Sequence, residues 1–177
     1  AQAVAAQRVG DPIDPATQIG PMVSRRQQER VEGYIATGRQ EGARVVVGGE
    51  RPSLPSELAG GWFVAPTLLA EVHNSMRVAQ EEIFGPVLAV IEYDGDDEAV
   101  AIANDSVYGL SGSVWSSDEE RALAIARRMR TGMVSINGRP QAANSPFGGF
   151  KQSGIGREMG PEGFHAYLET MSIAVGS

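Results

Sequence analysis

Pro86-Val87-Leu88-Ala89-Val90-Ile91-Glu92-Tyr93 (P-V-L-A-V-I-E-Y) is a near-continuous apolar run that ends at the turn-forming triplet Asp94-Gly95-Asp96. A run without polar alternation is what a strand buried on both faces of a parallel sheet presents. Beyond the triplet a helix is predicted to about Asn104, then a strand over 111–116. Asp118 caps a second predicted helix that reaches about Arg130, with Ala122, Ile125, Ala126 and Met129 on one face. Thr131-Gly132 stops it, and 133–136 returns as a strand. Residues 86–137 therefore read β-α-β-α-β, with right-handed crossovers expected. The fold class this predicts is α/β, an open and mostly parallel sheet flanked by helices.

Working outward, the N-terminal half begins with a predicted helix over 25–40, capped by Ser24. Val31, Tyr34, Ile35 and Gly38 fall at the i, i+3, i+4, i+7 spacing of one buried face. Glu41-Gly42 ends it, and 44–47 is a short strand. The Pro, Ser and Gly residues of 51–61 mark a surface loop, and 62–69 is extended, with Pro66 at a strand end or edge. After Gly138 the chain becomes glycine-rich to Gly163, and a last strand is predicted over 167–175.

The chain has 177 residues, 42% of them apolar, which suits one packed domain. Fifteen Lys and Arg against 22 Asp and Glu give a net charge of −7, which argues against nucleic acid or an anionic membrane as partner. Zero cysteines exclude disulfides, thiolate metal sites and a cysteine nucleophile within the chain. No apolar run approaches the ~20 residues of a membrane-spanning helix, and residues 1–10 lack a signal peptide's pattern. The expected setting is cytoplasmic.

Several common signatures fail. Gly154-Ile155-Gly156 begins like a dinucleotide fingerprint, but the third glycine, Gly160, comes one residue late and no strand leads into it. Gly109-Leu110-Ser111-Gly112-Ser113 misses the nucleophile elbow, because Ser113 stands where glycine is required. His73 and His165 are the only histidines and lie far apart, so no metal site is assigned. Asp94, Asp96, Asp97 and Glu98 read as acids at a turn and helix N-terminus rather than calcium ligands.

Two stretches are more specific: Glu81-Glu82-Ile83-Phe84-Gly85-Pro86, and Ser145-Pro146-Phe147-Gly148-Gly149-Phe150-Lys151-Gln152-Ser153-Gly154. Between them lies Ala103-Asn104-Asp105-Ser106-Val107-Tyr108-Gly109-Leu110. Gly156-Arg157-Glu158-Met159-Gly160 and Tyr167-Leu168-Glu169 follow. In order and spacing the whole set strongly resembles the NAD(P)-dependent aldehyde dehydrogenase superfamily, from Val9-Gly10-Asp11-Pro12 to Ile173. The resemblance covers roughly the C-terminal third of a family member. It implies that residues 1–166 are part of the catalytic domain and 167–177 an oligomerisation strand. The family's cysteine nucleophile, general-base glutamate and oxyanion-hole asparagine fall upstream of the match. No catalytic residue is therefore assigned, and the chain alone is expected to be inactive.

By the same resemblance Glu82 grips the nicotinamide ribose of NAD or NADP, and Phe84 packs near the nicotinamide. Gln27 reaches the cofactor, and Arg30 stands where a lysine is common. Without the resemblance, Glu82 reads as a surface acid, Phe84 as a core residue, and Gln27 and Arg30 as a solvated helix face. Glu81 is taken as structural. Residues 137–147 resemble the wall of the aldehyde-entry tunnel, with Phe147 toward the substrate; a packed aromatic beside Pro146 is the alternative. Gln141-Ala142-Ala143 offers nothing to grip a charged group, which favours a neutral aldehyde of modest size. The implied reaction oxidises the aldehyde to a carboxylic acid. The implied assembly is a homo-oligomer, a dimer or tetramer joined through the last strand. The competing reading is a non-catalytic split or degenerate module that associates with full-length subunits.

Overall fold

The structure is a computed structural model that describes residues 1–176. They divide into two compact units, Ala1–Tyr93 and Asp94–Ser177, where the length alone suggested one domain.

In the first unit a short helix, α1 (Gln2–Ala5), precedes the long helix α2 (Arg25–Glu41). The Ser24 hydroxyl accepts from the Gln27 backbone N–H at 3.2 Å, and Gly42 closes the helix at φ +106, a left-handed cap that glycine adopts without strain. Strand β1 (Arg44–Val47) pairs antiparallel with β2 (Thr67–Ala70), which begins directly after Pro66. A helical turn, α3 (Arg77–Gln80), leads across to β3 (Val87–Ala89), parallel to β2, and the sheet order is β1-β2-β3. Val31 and Ile35 of α2 pack on Leu69 of β2, Val78 of α3 and Ile83 to form the core. The face read from the sequence, Val31, Tyr34, Ile35 and Gly38, is the buried one.

The second unit holds α4 (Gly95–Asn104), β4 (Ser111–Val114), α5 (Glu119–Ala126), β5 (Met133–Ile136) and α6 (Gly160–His165). Strands β4 and β5 are parallel, from Ser111 opposite Met133 to Val114 opposite Ile136, with α5 as the crossover. Asp118 caps α5, its carboxylate accepting from the Arg121 N–H at 3.0 Å. Two of the acids at the start of α4 are ion-paired: Asp96 accepts a two-pronged bond from Arg121, and Asp97 pairs with Arg128 at 2.6 Å. Among the described residues no group of histidine and carboxylate side chains could hold a metal ion, and no helix is long and apolar enough to cross a membrane.

The α/β class and the predominance of parallel pairing hold, and five details differ. Residues 86–93 do not form a strand covered on both faces. Only Val87–Ala89 is strand, and burial alternates: Val87, Ala89 and Ile91 pack on the core, while Leu88 and Val90 point away, Leu88 at 53% exposure. The second apolar face is uncovered in this chain, so a continuous apolar sequence coexists with one-sided burial. β3 also pairs with β2 rather than β4, so the β-α-β-α-β run feeds two sheets. Helix α5 ends at Ala126, four residues early, and α6 forms within a stretch whose glycines argued for loop. Finally, residues 167–176 carry no strand, because no neighbour in the chain supplies a ladder; Ser177 lies outside the described residues.

Candidate functional site

The loop 81–86 leaves α3 and is fastened to one face of α2 through its own backbone. Three consecutive carbonyl oxygens are captured. The Glu82 carbonyl accepts from Arg30 Nη2 at 2.6 Å, and Gln27 Nε2 donates to the carbonyls of Ile83 (3.1 Å) and Phe84 (2.9 Å). Ile83 is buried in the core, and Gly85 lies against Val31, where a Cβ would stand 2.5 Å from Val31 Cγ2. Between these anchors Phe84 adopts φ +61, a region L-residues avoid, and the residue is 75% exposed. The backbone bonds on either side determine that conformation, and the result is an aromatic ring presented outward.

The Glu82 side chain is exposed, and no hydrogen bond or ion pair within the described residues engages its carboxylate. Its neighbour Glu81 is the opposite. Arg77 grips the Glu81 carboxylate with two bonds, at 2.8 and 2.9 Å, and the Tyr34 hydroxyl donates to it at 2.6 Å. The Arg77 guanidinium, with the Tyr34 hydroxyl second, holds the Glu81 pKa down to about 2. By accepting the Tyr34 hydroxyl's hydrogen bond, the Glu81 carboxylate in turn raises the pKa of the phenol. The Arg30 and Arg77 guanidiniums also lie 4.9 and 5.6 Å from the centre of the Tyr34 ring. Two adjacent glutamates thus have separate tasks: Glu81 is tied down, and Glu82 has both carboxylate oxygens available.

Gln27, Glu82 and Phe84 come together in the first unit through bonds from the helix to the loop backbone, which the sequence did not show. Gln27 spends its amide nitrogen on the loop and keeps the amide oxygen without a partner among the described residues. Arg30 looked like a solvated charge and is a loop anchor, and Tyr34 is more than a buried-face residue. The signal was present: residues 27, 30 and 34 follow the i, i+3, i+7 stripe of one helical face.

Phe147 belongs to the second unit. It forms an isolated antiparallel bridge with Glu158, N–H to carbonyl in both directions at 2.7 Å, and its side chain is partly exposed. Upstream, the Asn137 amide pairs with both backbone groups of Ser116 at 2.9 Å. An open cleft of about 470 Å³ is walled by Val134, Ile136, Asn137, Pro140, Gln141 and Ala142; Phe147 is not among its walls. The motif that follows Phe147 is a knot. Lys151 Nζ donates to the carbonyls of Asn104 (2.8 Å) and Ser106 (2.9 Å), and Ser153 Oγ accepts from the Gly109 N–H at 3.1 Å. The Phe150 ring lies between the guanidiniums of Arg130 and Arg157, 5.6 and 5.4 Å from its centre. The residues that make this stretch so specific fasten it to 104–109.

Comparison with known proteins shows the family. The model of the aldehyde dehydrogenase family matches residues 1–173. Geranial dehydrogenase of Castellaniella defragrans is 55% identical over 98% of this chain, which spans 35% of that protein. An aldehyde dehydrogenase of Mycobacterium tuberculosis solved with NAD+ superposes with a TM-score of 0.89 at 53% identity, covering 98% of this chain and 37% of the other. Aldehyde dehydrogenase C of Pseudomonas syringae, a mutant solved with NAD+ and octanal, gives 0.89 at 47% identity, covering 96% and 34%. The chain belongs to the aldehyde dehydrogenase family, and it spans about a third of the length of the relatives it matches.

Proposed function

We propose that this chain is the C-terminal part of an oxidoreductase that oxidises an aldehyde to a carboxylic acid with NAD+ or NADP+. The observation that carries the reading is the Glu82 carboxylate, without a partner among the described residues and set on a loop whose main chain is held by three captured carbonyls. A carboxylate accepts two parallel hydrogen bonds from a cis-diol, so the donor set suits the nicotinamide ribose. Held there, the nicotinamide would supply an acceptor for the hydride of the aldehyde carbon. Phe84, held outward, limits where that ring can rest. The amide oxygen of Gln27 accepts from the same dinucleotide. The NAD+ named with the two structural relatives supports this assignment.

Phe147 and the 137–147 loop desolvate and orient the aldehyde, and the absence of charge in Gln141-Ala142-Ala143 favours a neutral one of modest size. With zero cysteines the chain supplies no thiol nucleophile, so by itself it is inactive, and its share of the reaction is positioning. Residues 167–176 supply a backbone edge to a second subunit, giving a cytoplasmic homo-oligomer. The same lack of cysteine is what favours the second reading, a non-catalytic module that associates with full-length subunits. The test is Glu82→Gln in the complete polypeptide that carries this chain. The expected result is a rise of about tenfold in the cofactor KM, from loss of a charged acceptor, with the thermal midpoint unchanged. Unaltered cofactor and turnover parameters would remove the ribose assignment.

A further inference from the structure

The proposed reaction leaves one feature of the first unit unused: the hydroxyl of Tyr34. It lies at the junction of two bonds, donating to Glu81 Oε2 at 2.6 Å and accepting from Arg30 Nη2 at 3.1 Å. On one side it therefore touches a carboxylate already fixed by Arg77. On the other it touches the guanidinium that holds the Glu82 carbonyl. An exposed arginine has many rotamers of similar energy. Here the phenol oxygen and the ring beneath the guanidinium, 4.9 Å away, select one of them.

We propose that Tyr34 is a positioning residue for cofactor capture, its hydroxyl linking the Arg77–Glu81 ion pair to Arg30 so that the Glu82 carbonyl, and with it the direction of the Glu82 carboxylate, is fixed. The inference rests on the reading of Glu82 as the ribose grip. Its physical basis is that the orientation of a peptide plane sets where the Cα–Cβ bond points. A carboxylate that must take two parallel hydrogen bonds fits only over a narrow range of directions. Gln27 holds the next two carbonyls, so without Arg30 the loop keeps its place but the Glu82 peptide gains freedom.

The experiment compares the complete polypeptide unchanged, with Tyr34→Phe and with Glu82→Gln, varying NAD+ and a neutral aldehyde separately. Phenylalanine keeps the buried ring and removes only the hydroxyl. Tyr34→Phe is expected to raise the cofactor KM roughly three- to tenfold, with kcat within about twofold and the aldehyde KM and thermal midpoint kept. If Glu82→Gln raises the cofactor KM and Tyr34→Phe does not, the positioning role is overturned and the ribose reading survives. If neither variant moves it, both are overturned. A lowered midpoint with both KM values raised alike would show a structural role and overturn the proposal. Should Tyr34→Phe fail to fold, Glu81→Ala removes the acceptor from the other side. Because it also removes the Arg77 ion pair and so lowers the midpoint, it is judged by the two KM values alone. A rise in the cofactor KM only supports the proposal, and no rise, or an equal rise in both, overturns it.

Discussion

Phe84 illustrates how single residues are held in this protein. A left-handed backbone costs a non-glycine residue about 1–2 kcal/mol, and Phe84 keeps it because Gln27 bonds its carbonyl and the preceding one. The next residue has a different constraint. Gly85 is needed for space, since a Cβ would press on Val31, a fully buried β-branched side chain locked in a helix. Gly85→Ala is therefore expected to destabilise the fold by about 1–3 kcal/mol, the cost of overpacking, measured by denaturant unfolding. A midpoint equal to that of the unchanged protein would show that the loop can move off the helix freely.

At the scale of elements, α2 joins core to loop. Its apolar residues Val31 and Ile35 bury against the sheet, while Gln27, Arg30 and Tyr34 beside them hold 81–84. Glu81 links this arrangement to pH. Its pKa is about 2 in the folded chain against an ordinary 4.5, so folding favours the ionised form. The stabilisation is fully present above pH 4.5 and is lost as the pH falls toward 2. The group is solvent-exposed, so the effect is screened and modest. Thermal midpoints of the unchanged chain and of Glu81→Gln should differ by a constant amount above about pH 5 and converge on acidification toward pH 2. A gap that stays constant down to pH 2 would show that Glu81 titrates normally.

For the chain as a whole, the exposed apolar side chains are the governing feature. Leu88 on β3 and Val90 just after it, Trp115 after β4, and Met171, Ile173 and Val175 near the C-terminus are all uncovered. Exposed apolar area and unpaired strand edges favour association. In light scattering the chain by itself should therefore show a mass above 18.7 kDa; a stable monomer would contradict this. The sequence alone determined the α/β class, the cap at Ser24, the buried face of α2 and the family resemblance, because apolar period, capping chemistry and rare ordered motifs are local signals. It also brought Glu82, Phe84 and Gln27 into view. Only the tertiary structure decided that β3 joins β2 rather than β4, that its second apolar face is bare, and that 167–176 finds no strand partner within the chain. It alone also showed that Arg30 and Tyr34 carry the loop. Those outcomes depend on which distant backbone groups meet, and hydrogen-bond partners fifty residues away leave no periodic trace in the chain that contains them.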